Sequence, residues 1–176
     1  MQWLNPKYAY EGLQEFLGTG GPVLLAIMIA TFVMWTFIME RYSYYYFAHK
    51  SMKKRLQNEW NAREDKRSWR SRAIRDDLIS QVKVGTDQNV GIIKTLVAIA
   101  PLLGLLGTVW GMIEVFDVMA LSGSSNARLM AGGVFKATIP TMAGMVSALS
   151  GLFFSNQIER RGKRETAYFA DSLEIG

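Results

Sequence analysis

The stretch Thr95-Leu-Val-Ala-Ile-Ala-Pro-Leu-Leu-Gly-Leu-Leu-Gly-Thr-Val-Trp-Gly-Met-Ile113 decides the fold, because it holds no Asp, Glu, Lys, Arg or His. At about 1.5 Å per residue, a helix of this length crosses a hydrocarbon core about 30 Å thick. Buried helices of water-soluble proteins rarely stay uncharged for so long. Two further runs are equally free of charge, Gly20 to Met39 and Ala137 to Ile158. Three such runs in 176 residues predict an all-α integral membrane protein. Three transmembrane helices would extend into the cytoplasm, with a helical cytoplasmic segment between the first and second.

The charges lie outward from those runs. The chain carries 20 Lys and Arg against 15 Asp and Glu. The segment Glu40 to Lys94 holds Lys53-Lys54-Arg55 and the set Arg63, Lys66, Arg67, Arg70, Arg72, Arg75. The tail after the third run opens Arg160-Arg161-Gly162-Lys163-Arg164, whereas the second connection has only Arg128 near its centre. The positive-inside rule places the long segment and the C-terminus in the cytoplasm. The N-terminus and the turn from Leu121 to Asn126 then lie outside. The division expected is 1–19 as a periplasmic amphipathic segment, 20–40 as the first span and 41–91 as the cytoplasmic helical segment. The second span follows at 92–118, a periplasmic turn at 119–131, the third span at 132–158 and a cytoplasmic tail at 159–176.

The leader sets Glu11 and Glu15 against Lys7, and the apolar run after it is too long for a cleaved signal, so an uncleaved span is expected. Leu13, Phe16 and Leu17 share one face of a short helix, and Trp3, Tyr8 and Tyr10 suit an interface. Tyr42, Tyr44, Tyr45, Tyr46 and Phe47 follow the first span as an aromatic belt. In the cytoplasmic segment, Leu56 and Trp60, then Ile74, Leu78, Ile79 and Val82, stand at helical spacing. They predict two amphipathic helices joined near Asp65 to Ser68. The second would continue into the next span, with Gly85 and Gly91 as its weak points.

Several chemistries find no support. With no cysteine there is no disulfide and no thiolate ligand or nucleophile. The single histidine, His49, sits in a basic stretch and reads as a solvated side chain, since metal sites need several converging ligands. No phosphate-binding glycine motif precedes a helix, and no nucleophile–base pair stands out. No enzyme activity, metal or cofactor is expected. Asp and Glu interspersed in the basic segment favour topology determination and contact with lipid head groups over nucleic acid.

The second and third spans differ in kind from the first, which is bulky and expected to face lipid. Pro101, Gly104, Thr108 and Gly111 form one stripe of small or hydroxyl residues, and Ala137, Thr141, Gly144, Ala148, Gly151 and Ser155 form another. Such stripes either let helices approach closely or line a central cavity. In a hairpin turning near Ser125, Thr108 and Thr141 lie at one depth, and Glu114 and Lys136 at another nearer the outer surface. A lone charge in the membrane costs roughly 3 kcal/mol, so Glu114 and Lys136 are a candidate pair, within one chain or between neighbours; separate snorkelling is the alternative. No carboxylate lies deep in any span, so a proton path through the membrane would need one from another chain.

The stretch Ala100-Pro-Leu-Leu-Gly-Leu-Leu-Gly-Thr-Val-Trp-Gly-Met-Ile-Glu-Val-Phe116 resembles the second-span signature of the MotA/TolQ/ExbB proton-channel family, and Gly133-Val-Phe-Lys-Ala-Thr-Ile-Pro-Thr-Met-Ala-Gly-Met-Val146 resembles its third. The resemblance implies an ExbB-like inner-membrane motor subunit, a homo-oligomer that is pentameric in ExbB. The ring would surround an ExbD-like single-span partner whose membrane aspartate carries the proton. With a TonB-like protein it would energise transport across the outer membrane. Thr108 and Thr141 would be the threonines near that aspartate. The family usually has glutamate where Lys136 stands and asparagine where Glu114 stands. A TolQ-like role in envelope maintenance, or a membrane scaffold that conducts nothing, are the alternatives.

Overall fold

The computed structural model describes residues 6–66, 68–122 and 127–173, and the side chains of 21–66, 68–121 and 130–173. Four helices account for nearly all of them: α1 (Pro6–Asn61), α2 (Trp69–Asp87), α3 (Val90–Ser122) and α4 (Ala127–Ser172). Among the described residues, Gly21–Asn61, Trp69–Leu121 and Met130–Ser172 are each long and apolar enough to cross a membrane. The fold is an all-α membrane protein. The Leu13, Phe16, Leu17 face, Trp3, Tyr8, Tyr10, Arg128 and the turn at Ser125 lie outside the described side chains.

Local chemistry sets the breaks. Gly21 has φ 64° and ψ −166°, a backbone that only glycine adopts cheaply, and it interrupts α1. Pro22 follows it, where a missing N–H costs little because the helix is restarting. Ser68 caps α2 by accepting from the Ser71 N–H at 3.2 Å, and the Ser71 hydroxyl donates to the Asp65 carbonyl at 2.7 Å. The helix before the second span does not run on unbroken. It stops at Asp87 and resumes at Val90, with Asn89 at φ 60°. The break falls between Gly85 and Gly91 rather than at either, because asparagine also tolerates the left-handed region. There the Asn89 amide donates to the Glu40 carboxylate at 3.2 Å.

The chain divides into two compact units, one of Met1–Met34 with Thr95–Ser150, the other of Trp35–Lys94 with Gly151–Gly176. In the first, Leu24, Ile27 and Met34 are buried while Leu25, Ile29 and Phe32 are exposed. The first span is therefore two-sided, not wholly lipid-facing. Its apolar residues are equally greasy all round, and only the packed face distinguishes them.

The second unit has a core of Leu56, Trp60, Leu78, Val82, Phe169 and Leu173. Two of its arginines, Arg41 and Arg75, are well partnered. The Arg41 side chain, 2 % exposed, donates to the Gly85 carbonyl at 3.0 Å and reaches the Glu40 carboxylate at 2.6 Å. Arg75 donates to the carbonyls of Ala170 (2.7 Å) and Leu173 (3.1 Å), where the last turn of α4 has no acceptor-satisfying N–H of its own.

His49 is buried, not solvated. Tyr44 and Tyr45 crowd its ring at 6.1 and 5.6 Å between centroids, and the Glu165 carboxylate lies 3.3 Å from Nε2. Burial pushes the imidazole below its usual range, and the bond to Glu165 only partly opposes this. The neutral ring thus donates from Nε2, leaving Nδ1 buried without a partner. Lys53, at 2.8 Å, holds Glu165 below the usual carboxylate range.

Two outcomes follow. Phe169→Ala should cost about 3–5 kcal/mol, read by thermal unfolding of the purified protein, whereas Trp69→Ala, at a residue 77 % exposed, should change stability by no more than about 0.5 kcal/mol. His49 is the only histidine, and its folded pKa lies below the unfolded value. As pH falls through the ordinary imidazole range of about 6.5, the unfolded chain gains a proton that the folded chain refuses. Stability should therefore decline on acidification from neutral and level off below the folded value. His49→Gln should flatten that part of the profile.

Candidate functional site

Within the first unit, α3 and α4 cross as an antiparallel hairpin, and small residues mark the crossing. A Cβ added at Gly104 would lie 2.9 Å from the Thr141 Cα, and one at Gly144 would lie 2.5 Å from the Ala100 carbonyl oxygen. Both neighbours are backbone and cannot swing aside, so glycine is required at these two positions. Toward the turn, Gly111 meets Ala137, and the Pro140 ring packs onto Gly107. Gly104, Ala137, Gly144 and Ala148 are buried, while Pro101 and Gly111 are half-buried. These contacts join the two stripes to each other. Gly151 and Ser155 belong to the second unit, where both are buried and the Ser155 hydroxyl donates to the Leu152 carbonyl at 3.1 Å.

The two threonines are used differently. The Thr141 Oγ1 donates across the crossing to the Gly104 carbonyl at 2.9 Å. The Thr108 Oγ1 donates within its own helix to the Leu105 carbonyl at 2.7 Å. Helical geometry sends the Thr108 N–H to that same Gly104 carbonyl, so one acceptor links the two residues. Thr141 thus sits against the turn that precedes Thr108, about one helical turn from it, rather than directly opposite.

Glu114 and Lys136 do not pair within the chain among the described residues. The Trp110 indole, four residues back on α3, instead donates to the Glu114 carboxylate at 2.8 Å. Both charged residues are exposed. A bond that sequence reasoning missed ties the first span to the third: the Thr31 and Ser147 hydroxyls lie 2.6 Å apart, and Thr31 also donates to the Ile27 carbonyl at 2.7 Å. Thr31 is one of two hydroxyls, with Thr36, in a bulky run, and Ser147 lies beside the small-residue stripe of α4 rather than on it. Their polarity in otherwise apolar spans was the available signal. Among the described residues, no three His, Cys, Asp or Glu side chains gather as a metal site would need.

These features define a class: a multi-pass helical membrane protein whose second and third spans meet through glycine and threonine. Residues 46–171 match the MotA/TolQ/ExbB proton channel family. The chain is 38 % identical over 82 residues to putative biopolymer transport protein ExbB-like 1 of Synechocystis, covering 45 % of this chain and 32 % of that protein. It is 35 % identical over 77 residues to Tol-Pal system protein TolQ of Haemophilus influenzae, covering 43 % and 33 %. It is 34 % identical over 71 residues to biopolymer transport protein ExbB of Salmonella typhimurium, covering 40 % and 29 %. Each match spans about a third of the relative's own length. The chain belongs to the MotA/TolQ/ExbB proton channel family and is an ExbB-like member of it.

The crossing makes a specific demand. Gly144→Ala should destabilise the hairpin by about 1–3 kcal/mol because the new methyl meets backbone. Gly132→Ala, on the same helix with nothing within 4 Å of the added Cβ, should be neutral or should stabilise by up to about 1 kcal/mol. Thermal unfolding of the two purified variants measures the contrast.

Proposed function

We propose that this chain is the ring-forming inner-membrane subunit of a motor driven by the proton-motive force, with its N-terminus periplasmic and its C-terminus cytoplasmic. The family match over residues 46–171 carries the reading. Copies of the chain would assemble around an ExbD-like single-span protein that supplies a membrane aspartate, and a TonB-like protein would transmit the work to the outer membrane. The absence of any titratable residue from the three uncharged runs supports a carboxylate supplied from elsewhere. An apolar α3 surface, with Leu102, Leu105, Val109 and Trp110 all half or more exposed, supports burial against lipid or other subunits. Thr108 and Thr141 are the hydroxyls we assign to the partner-facing wall. Glu114 and Lys136 of neighbouring copies would pair near the periplasmic surface.

The match to TolQ, at an identity close to that of ExbB, keeps a Tol-like role in envelope maintenance as a second reading. Growth phenotypes of a deletion strain separate the two: loss of energy-dependent uptake supports the first, detergent sensitivity with normal uptake the second.

Thr108→Val removes a hydroxyl that, among the described residues, bonds within its own helix, so assembly should survive while proton-driven uptake falls to the level of an uncoupled membrane. Thr141→Ser, which keeps the bond to Gly104, should retain uptake, and Thr141→Val should lose it. Normal uptake by both valine variants, with normal assembly, would mean that the chain is a scaffold.

A further inference from the structure

The second unit holds a cavity of about 400 Å³ where Tyr42 and Tyr45 of α1 face Gln157, Arg160, Arg161 and Arg164 of α4. Its wall is fixed by hydrogen bonds. The Tyr42 hydroxyl donates to the Gln157 side-chain oxygen at 2.5 Å, and the Tyr45 hydroxyl donates to the Ile158 carbonyl at 3.4 Å. The Arg161 guanidinium lies 5.1 Å from the centre of the Tyr45 ring. Arg160 and Arg164 stand four residues apart, on one face of the helix.

The charges are unbalanced. No ion pair engages Arg160, Arg161 or Arg164 among the described residues. Two nearby carboxylates are already taken, and a third, Asp87, acts on Tyr45 and Lys163. Glu159 is held by Lys163 at 2.8 Å and Lys94 at 2.6 Å, which together press its carboxyl down to about 2. Glu165 is held by Lys53 and His49. This differs from Arg41 and Arg75, which have acceptors inside the unit. Three exposed guanidinium groups around one cavity concentrate positive charge there, and a guanidinium fork suits phosphate oxygens.

Position narrows the anion. The cavity residues begin just after Met39 on α1 and close to Ile158 on α4, where the uncharged runs end. On the span side, the Phe154 ring meets those of Trp35 and Tyr42, and Met39 and Phe153 are each 65 % exposed. Acyl chains would lie along that apolar surface. We propose that the cavity binds the phosphodiester head group of an anionic glycerophospholipid. A zwitterionic lipid would bring its own ammonium toward the three arginines and bind worse. The site does not depend on the proton-driven function.

The test uses the full chain in neutral detergent, stripped of lipid and titrated with phosphatidylglycerol or phosphatidylethanolamine, with bound lipid counted by native mass spectrometry. Phosphatidylglycerol should bind about tenfold tighter or better, the scale expected when several basic side chains act together near a membrane surface. The triple variant Arg160→Gln, Arg161→Gln, Arg164→Gln should lose that preference. The corresponding triple lysine variant should keep most of it, and so should Arg55→Gln, an exposed basic residue outside the cavity. Should the triple glutamine variant unfold, Arg164→Glu alone should still abolish the preference. Millimolar inorganic phosphate should not displace the lipid. Equal binding of the two lipids, a preference that survives the arginine changes in a folded variant, an equal loss in Arg55→Gln, or displacement by inorganic phosphate would each overturn the proposal.

Discussion

In a lipid environment helices gain nothing by hiding greasy side chains from one another, so their association rests on close contact and on the few hydrogen bonds they can exchange. Here that constraint is met where α3 and α4 cross. Gly104 and Gly144 let backbone touch backbone, and the Thr141 hydroxyl reaches the Gly104 carbonyl through the gap. Thr31 and Ser147 then tie the first span to the third by a bond of the same kind. Wider side chains at the crossing would push the helices apart and leave those hydroxyls facing hydrocarbon, so packing and polarity stand or fall together.

The second unit obeys a different balance. It buries Leu56, Trp60, Leu78, Val82, Phe169 and Leu173 as a water-soluble core does. It also takes in the charged side chains of Arg41 and Arg75, which find carbonyl acceptors there. Arg41 lies at the break between α2 and α3 and satisfies the Gly85 carbonyl there, while Arg75 does the same for the end of α4. The three arginines of the Tyr42–Gln157 cavity differ from Arg41 in having no ion pair among the described residues.

Much of the fold was legible because charge is a one-dimensional signal. The three uncharged runs, the amphipathic Leu78–Val82 face and the small-residue stripes can all be counted along the chain. What could not be read was which faces meet. Thr31 gives no sign that its partner is Ser147, since the two are 116 positions apart. His49 looked solvated because its sequence neighbours are polar, yet the groups that bury it include Glu165 on another helix. Equal depth was expected of the threonines at 108 and 141, yet Thr141 meets Gly104, one turn before Thr108. That one of them spends its hydroxyl on packing follows only from the approach of the two backbones. The break at Asn89 was masked by the glycines on either side of it, which are better helix breakers but remain helical.

The three uncharged runs offer hydroxyls, glycines and apolar walls but no group that can take up and release a proton. We propose that a member of a proton channel family built this way works as one part of a machine, completed by other chains. The most direct measurement is the mass and stoichiometry of the complex that purifies with this chain from its native membrane. The account predicts a closed ring of identical copies holding fewer copies of a small single-span protein with an aspartate in its membrane segment. A monomer, or a ring that carries no such partner and still conducts protons, would contradict it.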